Sequence, residues 1–265
     1  MRKFYLLFCL LPLSMELFAQ IGGISGSKLN AVCVDVVDHH VLEFEPAFSF
    51  SQTSKYWDNG KNLTNIYSTS DSLNRASGMQ FRFTYGLFDK LEIGVTVPDD
   101  MSRSSWGARY VIAQKEKLGL AVIAGVNIPM GNEVQYKAVR TEANTWQTGL
   151  GAVMSYQYSE NFSIDFNVQY NAYTRKLESG NKGTTNISAD AGYYVFDKGL
   201  QLIAGLGYQH TKYDMTNQFL YTFYPGVTIE TGKNYIIVLT TPIDIYGKNI
   251  DKTFNFSFAL TLSIP

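Results

Sequence analysis

Two cysteines, three histidines and seven prolines are all that this chain of 265 residues contains, and each shortage excludes something. Cys9 lies in the apolar stretch at the start, so Cys33 is the one cysteine beyond it. A single thiol forms no internal disulfide. The cluster Cys33, Asp35, Asp38, His39 and His40 has no spacing that reads as a zinc site, so no metal is assigned. Of the three imidazoles, His39 and His40 are adjacent, and His210 shares the outward parity of Tyr208 and Leu206 with no nucleophile motif near it. Hydrolysis by an imidazole-based centre needs a positioned base with an acid or a nucleophile. No catalytic residue and no cofactor are therefore assigned, and an enzyme is not expected. Charged residues make up only 17% and the formal net charge is -1, which offers nothing to nucleic acid. After the first twenty residues no apolar run is long enough to cross a bilayer as a helix.

What is present begins with an export signal. Arg2 and Lys3 precede an apolar core, Phe4 to Leu13, and Leu17-Phe18-Ala19-Gln20 offers a small-residue exit. Residues 1–20 read as a signal peptide cleaved after Ala19 or Gln20. Its loss removes Arg2, Lys3 and Glu16, and takes the formal charge from -1 to about -2. Residues 21–40 do not alternate and carry Gly22, Gly23 and Gly26; they read as an N-terminal segment, periplasmic or tucked into the fold of residues 41–265.

From residue 41 the pattern changes to period two. The last stretch, Thr253 to Ile264, puts Phe254, Phe256, Phe258, Leu260, Leu262 and Ile264 on one parity and small or polar residues on the other. A strand sends alternate side chains to opposite faces. Comparable stretches occur at 41–51, 79–87, 91–97, 105–113, 118–128, 145–158, 162–173, 185–196, 200–210, 219–230 and 235–246. Twelve strands is an even count, and long polar connections alternate with tight turns. The expectation is an all-β, transmembrane, antiparallel up-and-down barrel over 41–265, apolar toward lipid and polar toward a lumen. Both termini then lie on the tight-turn side. Trp106, Trp146, Phe219 and Tyr221 fall where an outer aromatic girdle would lie, and Tyr156, Tyr158, Phe162, Phe196 and Tyr235 where an inner one would.

Three runs carry a family resemblance: "YGLFDKLEIGVTVP" from Tyr85, "GLAVIAGVNIPMG" from Gly119 and "TPIDIYGKN" from Thr241, with "EFEPAFSF" from Glu43 as a first strand. They resemble the outer-membrane proteins named for the meta-pathway of phenol degradation, across most of the mature chain. The resemblance implies an exported barrel in outer-membrane transport of small, often hydrophobic molecules, and it adds no catalytic residue. The final strand ends Ile264-Pro265, where such barrels usually end on an aromatic residue for the assembly machinery.

Parity also picks out candidate functional residues. Glu43, Glu45, Arg82, Glu92, Arg109, Asp165, Asp190, Glu230 and Asp244 fall on the lumen side. An Arg or Lys facing lipid at the midplane costs roughly 2–4 kcal/mol, so charges are expected inward whatever they do there. They either form a paired network, Arg82 and Arg109 against Glu43, Glu45 and Glu92, or set selectivity as a charged ring. Recurrent lumen glycines (Gly94, Gly119, Gly125, Gly149, Gly151, Gly192, Gly205, Gly207) allow a passage, curvature or room for tyrosine rings. Pro225 and Pro242 cannot donate to a ladder. With Glu230 opposite Tyr235 they would weaken one seam, either as a lateral exit for apolar solutes or as a bulge shaping the wall. The expected function is an outer-membrane channel or passive transporter for small molecules, hydrophobic ones among them. The expected partners are membrane lipid, the barrel-assembly machinery and the solute. The alternative is a structural or adhesive barrel working through loops 52–74 and 131–143, with Tyr56, Trp57 and Tyr67 as contact residues.

Overall fold

In the computed structural model the described residues are 21–26, 28–67, 73–130, 145–177, 179–196, 199–231 and 234–265. The expected signal peptide, the expected loop at 131–143 and positions 197–198 and 232–233 lie outside them. Among the described residues fourteen strands run in chain order: β1 (Leu42–Trp57), β2 (Leu63–Asn65), β3 (Asn74–Phe88), β4 (Leu91–Pro98), β5 (Arg103–Lys115), β6 (Leu118–Pro129), β7 (Gln147–Gln157), β8 (Phe162–Tyr173), β9 (Gly183–Val195), β10 (Leu200–Lys212), β11 (Asn217–Glu230), β12 (Tyr235–Thr240), β13 (Ile243–Lys248) and β14 (Ile250–Ile264).

These strands pair antiparallel with their neighbours, and β14 pairs with β1, so the sheet closes on itself. β12 and β13 share one position between β11 and β14, and β2 adds a short flap to β1. The wall is therefore the expected twelve-stranded up-and-down barrel. Closure matters because an open sheet edge in lipid would leave backbone groups without partners.

Period-two patterning sets the faces. β8 alternates half-exposed or exposed Phe162, Ile164, Phe166, Val168 and Tyr170 with buried Ser163, Asp165, Asn167, Gln169 and Asn171. Apolar side chains such as Leu150 (70% exposed) and Leu206 (59%) point outward, and the buried set is mostly polar. This inversion of a soluble core is what a lipid solvent selects. Trp106, Trp146 and Tyr221 are exposed at the loop end, and Tyr158, Phe196 and Tyr235 at the turn end.

Two details differ from the sequence reading. The first connection is shorter than 52–74: β1 continues to Trp57 and β3 starts at Asn74. Polar alternation at Gln52–Trp57 is weak, because the strand there rises beyond the apolar band. Trp57 is consequently not a loop contact residue. It is 4% exposed and packs with Leu220 and Ile250 inside the loop-end mouth. The second difference is register. β11 pairs Glu230 with Ile236 and Gly226 with Thr240, one residue away from a Glu230–Tyr235 pairing. A one-residue slip from this register would put paired side chains of the two strands on opposite faces.

Candidate functional site

The barrel is not empty. Residues 21–41 start deep in the lumen, cross it, and leave at the turn end where β1 begins. Ile21 N–H donates to Gln169 Oε1 (2.9 Å) and Gly23 N–H to Thr96 Oγ1 (2.8 Å), while the Thr84 hydroxyl donates to the Gly23 carbonyl (2.9 Å). Val32 N–H reaches Asn167 Oδ1 (3.0 Å) and Val34 N–H reaches Ser155 Oγ (2.9 Å). The segment has no regular secondary structure of its own, so its amides need side-chain acceptors, and β4, β7, β8 and β9 supply them.

Two ionic nodes fasten it. Glu92 and Arg109 are both fully buried, with Arg109 Nη2 3.0 Å from Glu92 Oε1. Glu92 also accepts the Ser25 and Val37 amides (2.9 Å each), and Arg109 donates to the carbonyls of Ser25 (3.1 Å) and Cys33 (2.7 Å). On the far wall, three successive amides, Leu29, Asn30 and Ala31, converge on Asp190 Oδ2 at 2.8–2.9 Å, a small anion nest closed on a carboxylate. Lys28 pairs with Asp165 beside it. Cys33 is half-buried beside these nodes, its thiol 3.8 Å from the Asp35 carbonyl oxygen.

The other candidates lie elsewhere on the same interior. Arg82 donates from Nε and Nη2 to Glu45 (3.3 and 2.7 Å) and from Nη1 to Glu43 (3.3 Å) and Thr84 (2.9 Å). The five charges grouped together from sequence thus separate into two clusters, Arg82–Glu43–Glu45 and Arg109–Glu92. Glu230 accepts the Tyr194 hydroxyl (2.6 Å) near the turn end. Asp244 accepts the Thr222 hydroxyl (3.0 Å) and the Thr253 amide (2.8 Å).

That last bond marks an irregular wall. β13 and β14 share one ladder pair, Ile243 with Phe254, and the Asp244 carboxylate takes the Thr253 amide where a backbone carbonyl would in a continuous ladder. The Pro225 carbonyl accepts the Thr241 amide (3.2 Å), and the Pro242 carbonyl accepts the Asn255 amide (3.4 Å). Pro242 sits in the gap between β12 and β13, so the irregularity involves β14 as well as β11.

Sequence reasoning missed what the glycines are for. A Cβ on Gly94 would lie 2.1 Å from the Gly23 carbonyl oxygen, and one on Gly107 2.1 Å from that of Gly22. Gly86 is covered by the Asp38 carbonyl (2.0 Å), Gly125 and Gly149 by Ile21, and Gly119 by Val34. These glycines form a bed for the segment. Gly205 is different: a Cβ there would meet Asp190 Oδ1 at 2.1 Å. His39 and His40 stack at the rim (3.8 Å between centroids), and His40 Nδ1 lies 2.8 Å from the Tyr85 hydroxyl. His210 stacks on Tyr208 in the loop-end girdle.

Beside the segment, an open cavity of about 230 Å³ remains. Its wall is β14, β1 and β3, where Ala47 faces Ala259 and Ser49 faces Ser257. The Arg82–Glu45 pair borders it on the turn side, and Leu29, Val238 and Pro242 close it laterally.

A family model described as "Putative MetA-pathway of phenol degradation" matches residues 61–260. The chain belongs to this family. No curated protein matches it by sequence. Among solved structures, an outer membrane channel from Pseudomonas putida F1 superposes with a TM-score of 0.71 at 15% identity, covering 87% of this chain and 98% of that one. The toluene transporter TbuX of Ralstonia pickettii gives 0.43 at 9% identity, with 92% and 98% covered. A monoaromatic hydrocarbon channel, CymD, gives 0.44 at 8% identity, with 85% and 89% covered. The family member described here has the fold of outer-membrane barrels.

Proposed function

We propose that the protein is an outer-membrane channel for small molecules whose conductance is set by residues 21–40 lying in its lumen. The observation that carries this is the pairing of a closed twelve-stranded wall with a segment held inside it mainly by side chains, its backbone bridging to the wall only at its exit, where His39 pairs with Gly86. Side-chain bonds can be exchanged for water one by one, whereas a strand added to the sheet would not leave. With the segment seated, passage is confined to the space along β14, β1 and β3. With it displaced, Asp165 and Asp190 lose their segment partners, acidic groups outnumber basic ones on the wall, and the open pore prefers cations.

Planar-bilayer recording of the refolded mature protein, with and without residues 21–40, tests the reading. Small steps in the full chain and larger, cation-selective steps after truncation are expected. Silence from both, with the barrel shown folded, would overturn the channel and favour a filled structural barrel. An anion-preferring reversal potential would overturn the selectivity alone. Transport rather than catalysis is the reading, since two of the histidines stack on each other at the rim and the third stacks on a girdle tyrosine. The adhesive alternative has one contact residue fewer, Trp57 being enclosed.

The wall irregularity at Pro225, Pro242 and Asp244 supports a sideways exit for apolar solutes into lipid. Replacing both prolines with Thr should slow uptake of an apolar solute and leave ionic conductance unchanged; unchanged uptake removes the lateral route. Delivery by the barrel-assembly machinery belongs to the same reading.

A further inference from the structure

The space left beside the lumen segment has a defined chemistry. On one side lie Leu29, Val238 and Pro242, and on the other Gln80, Ser49 and Ser257. The charges on its border are already committed. All three Arg82 nitrogens donate to Glu43, Glu45 or Thr84, and Glu45 also accepts the Thr261 hydroxyl (2.5 Å). Arg103, toward the loop end, is engaged as well. An ionic solute entering here would lose its hydration and find no free counter-charge, which is costly in a confined site. A hydroxyl or carbonyl on an otherwise apolar body would find amide and hydroxyl partners and an apolar surface at once. At about 230 Å³ the space is smaller than the roughly 300–1,000 Å³ of drug-sized pockets, which limits the occupant to one ring with short substituents.

We propose that this cavity is a binding site for an uncharged, one-ring amphiphile, held between Leu29 of the seated segment and the small-residue wall of β14, β1 and β3. The inference rests on the channel reading and deepens it: the seated state is a selective site for neutral molecules, while the displaced state is a wider, cation-preferring pore. The small residues are then functional. Ala47 opposite Ala259 and Ser49 opposite Ser257 keep the wall flat where a larger pair would close the space.

The test is calorimetric titration of the full mature protein in detergent with three ligands of one shape: benzyl alcohol, benzoate and benzylammonium. Benzyl alcohol should bind one per barrel, at least about tenfold tighter than either ion. Leu29→Trp fills the cavity from the segment and leaves the wall untouched; it should abolish that binding. Ala259→Phe fills it from the wall and should do the same. Equal or tighter binding of an ion overturns the site's chemistry. Binding that survives both substitutions overturns its location. The channel reading fails separately: titration behaving as stated with no conductance in a bilayer removes the channel and leaves the site. Conductance with no benzyl alcohol binding removes the site and leaves the channel.

Discussion

Two halves of one barrel treat the same lumen in different ways. Across β4 to β9 the inner wall carries acceptors and glycines: Glu92, Ser155, Asp165, Asn167, Gln169 and Asp190 accept hydrogen bonds from the segment, and Gly94, Gly107, Gly119, Gly125 and Gly149 let its backbone lie against the sheet. Across β14, β1 and the loop-end half of β3 the wall is alanine, serine and glutamine beside open space. Both sides are antiparallel ladder, although the open side includes the interruption between β13 and β14. Inward side-chain chemistry decides where the segment docks. A barrel can thus be filled on one side and open on the other without any change in fold.

The comparison breaks most severely at the buried ion pair. Arg109→Ala would leave Glu92 enclosed with amides but no counter-charge, and removing one partner of a buried pair costs about 3–5 kcal/mol. Since the pair also binds Ser25 and Cys33, that loss falls on the docked segment. Labelling of the half-buried Cys33 by a thiol reagent should become markedly faster than in the parent protein. Labelling at the parent rate would mean that the pair only fills the wall.

A smaller effect is expected at the nest. Asp190→Asn keeps the shape but turns charge-assisted bonds from three amides into neutral ones, a loss of about 1–2 kcal/mol. Hydrogen exchange at Leu29, Asn30 and Ala31 should quicken by about tenfold or more, while exchange in β11 and β14 should not change. Steric contact gives a similar figure. Gly94→Ala places a methyl group against the Gly23 carbonyl, and overpacking of this sort costs about 1–3 kcal/mol. Ala259→Ser on the open side should leave thermal stability and Cys33 labelling unchanged. Equal losses from the two substitutions would erase the distinction between the halves.

Most of the barrel is legible in the sequence because a lipid solvent and a wet lumen write opposite polarities onto alternate positions. Phe254 to Ile264 or Phe162 to Tyr170 can be read by eye. The segment's place is not legible, because residues 21–40 have no period and dock through single side chains spread from Thr84 to Asp190. Its trace is nonetheless there: lumen-parity glycines at 94, 107, 119, 125 and 149 are more than curvature requires, and a second backbone lying on the wall accounts for them. Gln52 to Trp57 escapes a reading by period for a local reason, since a strand rising above the apolar band stops alternating in polarity. The register at β11 and β12 is recoverable, as Glu230 and Tyr235 cannot share a face when Glu230 points inward and Tyr235 joins the girdle.

The smallest effect belongs to the loop end, away from both halves. Asp214 accepts from Lys182 (2.9 Å) and lies 3.7 Å from Lys176, and the Lys182 hydrogen bond and charge hold its carboxyl below the ordinary carboxylate range. A depressed carboxylate stabilises the folded contact above the unfolded pKa of about 3.9, and the contact is lost as pH falls through the lower folded value. The connection at 174–182 should therefore exchange its amides faster below about pH 4 than at pH 6, allowing for the intrinsic pH dependence of exchange. Asp214→Asn should remove that difference, and because the pair is exposed, thermal stability at pH 7 should scarcely change. If the acid transition instead opens the lumen segment, with Cys33 labelling rising over the same range, the loop end and the lumen are coupled, and the division of the wall into a docking half and an open half is set partly from outside the barrel.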